Sequence, residues 1–146
     1  RRRLGQGYDA LAVDALRALR EVGGEEAVRT FARRRAEQAI GTISPTESAD
    51  PVDGARRIAA SLSDAGFSAD AREVGNGVQI CQHHCPVAHV AAEFPEFCEA
   101  ETAVFTKVLG THVQRLATIA NGDCACTTHV PLERVVPRAT PAKELR

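Results

Sequence analysis

Five cysteines and five histidines carry the side chains best suited to chemistry in this 146-residue sequence. All ten lie between residues 81 and 129. An odd number of cysteines, with no signal peptide ahead of them, argues against a secreted disulfide scaffold. In a reducing compartment such a group more often binds a metal or takes part in redox chemistry. We therefore expect a cytoplasmic protein whose cysteines form a metal or redox site.

Two of the cysteines lie where a helix is predicted to begin. Cys85 directly precedes Pro86, and Cys98 falls in the first turn of a helix that Pro95 opens. The free N–H groups and the positive dipole end of a helix N-terminus lower the pKa of a thiol and favour the thiolate. Because the thiolate is the form that binds metals, these two positions indicate metal ligands.

A third cysteine is placed by a predicted hairpin. Asn121-Gly122 is a favoured two-residue turn, here between strands over 111–120 and 123–130. This register sets Cys126 opposite Ala117 on the more apolar face of the hairpin, which helices should cover. The side chain of Cys126 can then point inward, toward the helix starts that carry the other two thiols.

Converging thiolates in an apolar pocket are typical of a metal or iron–sulfur site. The spacing is not that of a zinc ribbon, because it contains no pair of C-x-x-C knuckles. Zinc nevertheless stays open, as the metal of a structural or metal-sensing regulatory domain. The remaining cysteines, Cys81 and Cys124, are expected to be structural, since free cysteine often acts as a small buried hydrophobe.

Periodicity predicts an α+β fold with an N-terminal helical arm. Residues 8–40 have a helical pattern that breaks at Gly23-Gly24. The arm is either a pair of helices packed on a core of their own or a connecting and dimerisation element. Its first apolar stripe consists of Leu11, Ala15, Leu16, Leu19 and Val22.

The rest of the chain predicts antiparallel hairpins packed with helices. Asp50 and Pro51 are an N-cap and a first helical residue, and Gly75-Asn76-Gly77 is a hairpin turn. We therefore expect a helical connecting or dimerisation arm, a small α+β domain and a flexible tail. Their boundaries are 1–45, 46–131 and 132–146.

The segments HHCPVAHVAAEFPEFCEAET and LGTHVQRLATIANGDCACTTHVP carry a family resemblance. They resemble the C-terminal sensor region of SufR-type iron–sulfur transcriptional repressors, winged-helix proteins related to the DeoR/ArsR regulators. The family pattern has twelve residues between the first two cysteines and twenty-seven between the second and third. Cys85, Cys98 and Cys126 match it, and the resemblance covers roughly residues 8–131.

The resemblance implies a [4Fe–4S] cluster on each subunit of a homodimer, bound by Cys85, Cys98 and Cys126. It also implies a repressor of cluster-assembly genes whose cluster occupancy, set by iron, oxidants or nitric oxide, controls operator binding. The family binds operator DNA through an N-terminal winged helix, which does not fit in these 146 residues. We expect that domain to lie outside this sequence, with the opening residues 1–3 as the tail of its wing. The absence of methionine also suggests a fragment or a processed product.

Three cysteines leave one iron of such a cluster without a thiolate. Histidine can replace cysteine as an iron ligand, and His84 is the first candidate because alternation puts it on the core face of its strand. The other candidates are His83, His89, His112 and the carboxylates of Glu99 and Glu101.

Composition limits the classes of function. With a net charge of −1, this segment is not a polycation built for nucleic acid, and no apolar run is long enough to cross a membrane. No G-x-S-x-G, Walker or dinucleotide motif is present. A nucleophile formed by Cys85 with His84 or His89 would lack a third orienting residue. We therefore expect a regulator that senses redox or iron status, and not an enzyme.

Overall fold

A computed structural model describes residues 2–40, 43 and 50–132. The predicted α+β class is confirmed. The tail beyond residue 132 and most of the predicted linker over 41–50 lie outside the described residues. The elements are α1 (Arg2–Ile40), α2 (Pro51–Asp64), β1 (Ala69–Val74), β2 (Gly77–Gln82), α3 (Ala88–Glu93), α4 (Glu96–Leu109), β3 (Gln114–Ala117), a 3₁₀ helix (Ile119–Asn121) and β4 (Cys126–Pro131).

The four described strands form one antiparallel sheet in the order β1-β2-β4-β3. The first hairpin forms as predicted, with Val74 opposite Gly77 and Gly75 at a φ of 57°. β2 pairs with β4, a strand far from it in the sequence. This pairing places the carboxyl end of β2 beside the start of β4, so that Gln82 lies opposite Cys126.

The second hairpin differs from its prediction. β4 begins only at Cys126, so the predicted two-residue turn at Asn121-Gly122 is wrong. A 3₁₀ helix occupies the connection instead, because the Thr118 hydroxyl accepts a hydrogen bond from the Asn121 N–H at 3.2 Å. The partner of Cys126 is therefore Gln82 and not Ala117, which pairs with the next residue along β4. The inward direction predicted for Cys126 is confirmed, since only 5% of the residue is exposed.

The long N-terminal helix is two helical segments joined at Gly24, where φ is 74°. The predicted break is thus confirmed at Gly24, which has no Cβ and therefore tolerates this positive φ. The residues of the predicted apolar stripe do not all lie on one buried face of α1. Leu16 is buried, whereas Leu11 and Val22 are 64% and 84% exposed.

The main core lies between the helices and one face of the sheet. The second segment of α1 contributes to it together with α2, α4, β2 and β4. Its fully buried side chains include Ile40, Ile58, Leu62, Ile80, Phe105 and Val130. The second half of the arm therefore packs on the α+β domain, while the boundary at residue 45 remains a prediction.

A smaller apolar cluster joins both segments of α1 to α3. Leu16 comes from the first segment, Val28 from the second, and Val90 and Phe94 from α3 and its C-terminal end. Polar contacts reinforce it. Arg17 donates two hydrogen bonds of 2.6 and 2.7 Å to Glu93. None of the described helices is long and apolar enough to cross a membrane.

Candidate metal centre

Cys85, Cys98 and Cys126 line one cavity, although they come from three different parts of the chain. The cavity lies beneath the second segment of α1, at the end of β2, and has a volume of about 170 Å³. One water molecule needs only about 10–15 Å³ of such space. The three cysteines predicted to act together therefore meet at a cavity with room for more than a single ion.

Cys85 lies in the turn between β2 and α3, three residues before the helix begins. The prediction that it occupies a helix N-terminus is wrong by this one turn, because the first helical residue is Ala88. Burial raises the pKa of its thiol to about 11, outweighing the backbone N–H of Val87, which lowers it. The expected lowering of the Cys85 pKa is therefore also wrong.

Cys98 does lie in the first turn of its helix, α4, as predicted. Its pKa is nonetheless raised, because burial of the thiol outweighs the nearby Arg115 guanidinium, which lowers it. The helix start thus supplies the position of this thiol, but its partly buried surroundings favour the neutral form.

Cys126 is the first residue of β4 and points to the helix-covered side of the sheet. The Ile119 N–H donates a hydrogen bond to its Sγ at 3.2 Å. Burial raises the pKa of Cys126, against the lowering effects of this N–H and of Arg115.

The three thiols influence each other electrostatically. Cys98 and Cys126 both raise the pKa of Cys85, and Cys126 raises that of Cys98. Glu101 raises the pKa of all three. Deprotonating the three thiols together would place several negative charges beside Glu101, and a bound cation would offset that repulsion. Binding of a metal there must release the thiol protons.

Glu101 is fixed at the cavity by two partners that sequence analysis missed. Arg115 Nη2 donates to one carboxylate oxygen at 2.8 Å, and Gln82 Nε2 donates to the other at 3.2 Å. The spacing of Glu101 from Cys98 on one helix was visible in the sequence. The positions of Arg115 and Gln82 follow from the pairing of distant strands and had no local signal.

The candidate histidines lie elsewhere. β2 ends at Gln82, and His84 is exposed beyond it, so the prediction that His84 shares the core face of the strand is wrong. His83 is 3.0 Å from an Asp70 oxygen on the surface. His89 and His112 are also exposed, and none of these four lines the cavity.

The two remaining cysteines are separate from the cavity. Cys81 is buried in β2, in line with its predicted structural role, and Arg72 Nη2 lies 3.8 Å from its Sγ. Cys124 is exposed, so it is not the buried hydrophobe that was expected. Neither residue lines the cavity.

A single metal ion and a cluster make different demands on these thiols. A zinc ion draws its sulfur ligands to about 2.3 Å from one point, whereas an iron–sulfur cluster holds each thiolate on a different iron. Among the described residues, no three His, Cys, Asp or Glu side chains are placed to hold one metal ion. The three thiols thus share one cavity wall without forming a site for a single metal ion.

Comparisons of the chain with protein-family profiles, with curated proteins and with solved structures find no match. The resemblance drawn from the cysteine spacing therefore stays an interpretation of the residues themselves.

Proposed function

We propose that this chain is the cluster-sensing part of a dimeric transcriptional repressor of iron–sulfur cluster assembly genes. Cys85, Cys98 and Cys126 bind a [4Fe–4S] cluster in each subunit. Cluster occupancy controls operator binding by a winged-helix domain outside this sequence. The chain itself is a regulator and not an enzyme.

One observation carries the proposal: the three cysteines that match the family spacing line the same cavity. They come from a turn, a helix and a strand, so their meeting depends on the whole fold. The cavity has a volume of about 170 Å³, and its donor set of thiols with one carboxylate suits iron. When bound, the cluster supplies a reversible electron acceptor that is sensitive to oxidants and to iron supply.

A chain of contacts connects the three-cysteine site to the first segment of α1. Cys85 is followed directly by α3, and α3 ends at Glu93, which Arg17 of the first α1 segment holds with two hydrogen bonds. The Arg20 guanidinium lies 4.7 Å from the centre of the Phe94 ring. A change in the position of Cys85 is thus passed to the segment that leads toward the proposed DNA-binding domain.

A second route runs through α4. Phe97 precedes Cys98, lines the cavity and packs edge-on against Phe31 of α1, with ring centres 6.0 Å apart. The second segment of α1 also contributes Ala36 to both the cavity wall and the core. Occupancy of the cavity therefore acts on both segments of α1.

The proposed homodimer has a matching surface on α1. Tyr8, Leu11 and Val22 are 70%, 64% and 84% exposed. With Ala15 and Ala18, which are also exposed, they alternate three and four residues apart. This is the spacing of a coiled-coil seam, and a second copy of the same helix would cover it.

The first test is the metal content of protein purified without air. We expect brown protein with about four irons and four sulfides per chain. Cys85→Ser, Cys98→Ser and Cys126→Ser should each abolish the cluster, while Cys81→Ser and Cys124→Ser should keep it. Cys124→Ser is the matched control, because that thiol is exposed and away from the cavity.

Two results would contradict the proposal. Full iron and sulfide in the Cys126→Ser variant would remove that residue from the ligand set. Colourless wild-type protein with stoichiometric zinc would replace the cluster with the alternative, a zinc-binding structural or metal-sensing domain.

A further inference from the structure

Glu101 is the carboxylate at the cavity of the three thiols, and the described lining includes no other carboxylate and no imidazole. It follows Cys98 by three residues on α4, so both side chains lie on the same face of that helix. Only 15% of its side chain is exposed. We propose that Glu101 supplies the fourth ligand of the cluster, through a carboxylate oxygen on the iron that no cysteine binds. This inference rests on the proposed function.

The carboxylate is held in place and still has room to bind. One oxygen accepts from Arg115 at 2.8 Å and the other from Gln82 at 3.2 Å. An ionised carboxylate offers about four acceptor positions, so these two bonds leave free lone pairs for iron. Gln82 is fully buried and Arg115 is 14% exposed, which fixes both partners.

Arg115 is itself tied to the helix that carries Glu101 and Cys98. Its Nη2 donates to the Thr102 hydroxyl at 2.9 Å, and that hydroxyl donates to the carbonyl of Cys98 at 2.9 Å. Three thiolates and a carboxylate around one cavity repel each other. The Arg115 guanidinium offsets part of this repulsion, as its lowering effect on the pKa of Cys98 shows.

The histidines are worse placed for the same role. His84 and His112 are exposed, and His83 and His89 lie against the surface carboxylates of Asp70 and Asp9. None of these four histidines lines the cavity, whereas Glu101 does.

A carboxylate makes the fourth iron chemically different from the other three. Oxygen is a harder donor than thiolate and holds iron less firmly against soft ligands. The iron at Glu101 would therefore be the most weakly held of the four.

Mössbauer spectroscopy of the full chain reconstituted with ⁵⁷Fe tests the assignment. In the wild type, one iron in four should differ from the rest. In Glu101→Cys it should become equal to the others, because all four irons then have thiolate ligands. Glu99→Gln should match the wild type, since Glu99 is an exposed neighbour on the same helix that does not line the cavity.

The rate of iron loss to a chelator gives a second readout. Glu101→Gln should lose iron about tenfold faster than the wild type, the scale at which changes around a metal site weaken it, and Glu99→Gln should not. Equal rates in Glu101→Gln and the wild type would contradict the assignment.

A pulsed EPR measurement on the reduced wild-type cluster needs no variant and so does not depend on variant folding. We expect no strongly coupled nitrogen, and a directly bonded nitrogen would overturn the assignment in favour of a histidine. An unchanged Mössbauer spectrum in Glu101→Cys would also overturn it while leaving the cluster itself in place. Wild-type protein without iron and sulfide would overturn the proposed function, and this inference with it.

Discussion

At the scale of single residues, burial decides the chemistry of the three thiols. Two of them were expected to be thiolates because they lie near helix starts, yet desolvation raises the pKa of each. The compensating groups, the N–H of Val87, the N–H of Ile119 and the guanidinium of Arg115, oppose burial without overcoming it. The raised pKa values favour neutral thiols, so a metal that bound here would have to displace their protons.

The reactivity of Cys85 should show this directly. Its pKa of about 11 means that its thiolate fraction is small at pH 8 and increases about tenfold per pH unit up to that value. In metal-free protein, the iodoacetamide labelling rate of Cys85, followed by peptide mass spectrometry, should still be rising at pH 10. A plateau near pH 9 would contradict the raised pKa. Circular dichroism at each pH would confirm that the fold is intact.

At the scale of elements, most helices and one hairpin could be predicted because their signals are local. Pro51 starts α2 with Asp50 as its cap, Gly110 ends α4, and Gly75-Asn76-Gly77 turns the first hairpin. The second hairpin could not be predicted in the same way. Its connection is a 3₁₀ helix that the Thr118 side chain stabilises by accepting a hydrogen bond from the Asn121 N–H. Hydrophobic periodicity does not reveal a hydrogen bond of this kind.

The residues of the candidate site also differ in whether local sequence signals predict them. The three cysteines could be predicted from their spacing and their helix or strand positions. Gln82 and Arg115 could not, because they reach the cavity only through pairings between distant strands. Strand alternation does not place His84 on the core face, because β2 ends at Gln82.

The break in α1 gives a prediction at this scale. Gly24 has a φ of 74° and a ψ of −178°, a backbone region that is essentially restricted to glycine and costs another residue about 1–3 kcal/mol. Gly24→Ala should lower the free energy of unfolding by that amount, measured by urea denaturation. Gly7→Ala is the matched control, because Gly7 lies in a regular part of the helix with nothing near an added Cβ.

Gly7→Ala should be neutral or stabilising by up to about 1 kcal/mol, since alanine is the better helix former. Equal effects of the two substitutions would mean that α1 runs straight through Gly24 in solution.

At the scale of the whole molecule, α1 serves two surfaces. One face of its first segment packs on α3 through Leu16, and the adjoining face exposes Leu11 and Val22. The sequence pattern merged these faces into one stripe, because periodicity detects an apolar face without showing what covers it.

The exposed face of α1 is the seam of the proposed homodimer. Leu11→Asp and Val22→Asp each place a charge in the proposed seam and should convert a dimer into a 15.6 kDa monomer in sedimentation velocity runs. Ala10→Asp adds the same charge at an exposed position on another face of the helix and should leave the dimer intact. Monomeric wild-type protein, or dimeric Leu11→Asp and Val22→Asp variants, would contradict the seam.

The first segment of α1 presents the proposed seam, and the second lines the cavity. If cluster loading shifts one segment against the other, loading and pairing are thermodynamically coupled. Thermodynamic linkage requires that whatever factor cluster loading applies to subunit affinity, pairing returns to cluster affinity. Where loading favours pairing, a lower concentration of the proposed regulator would weaken cluster retention at the same iron level. The abundance of the protein would then adjust the threshold at which it responds.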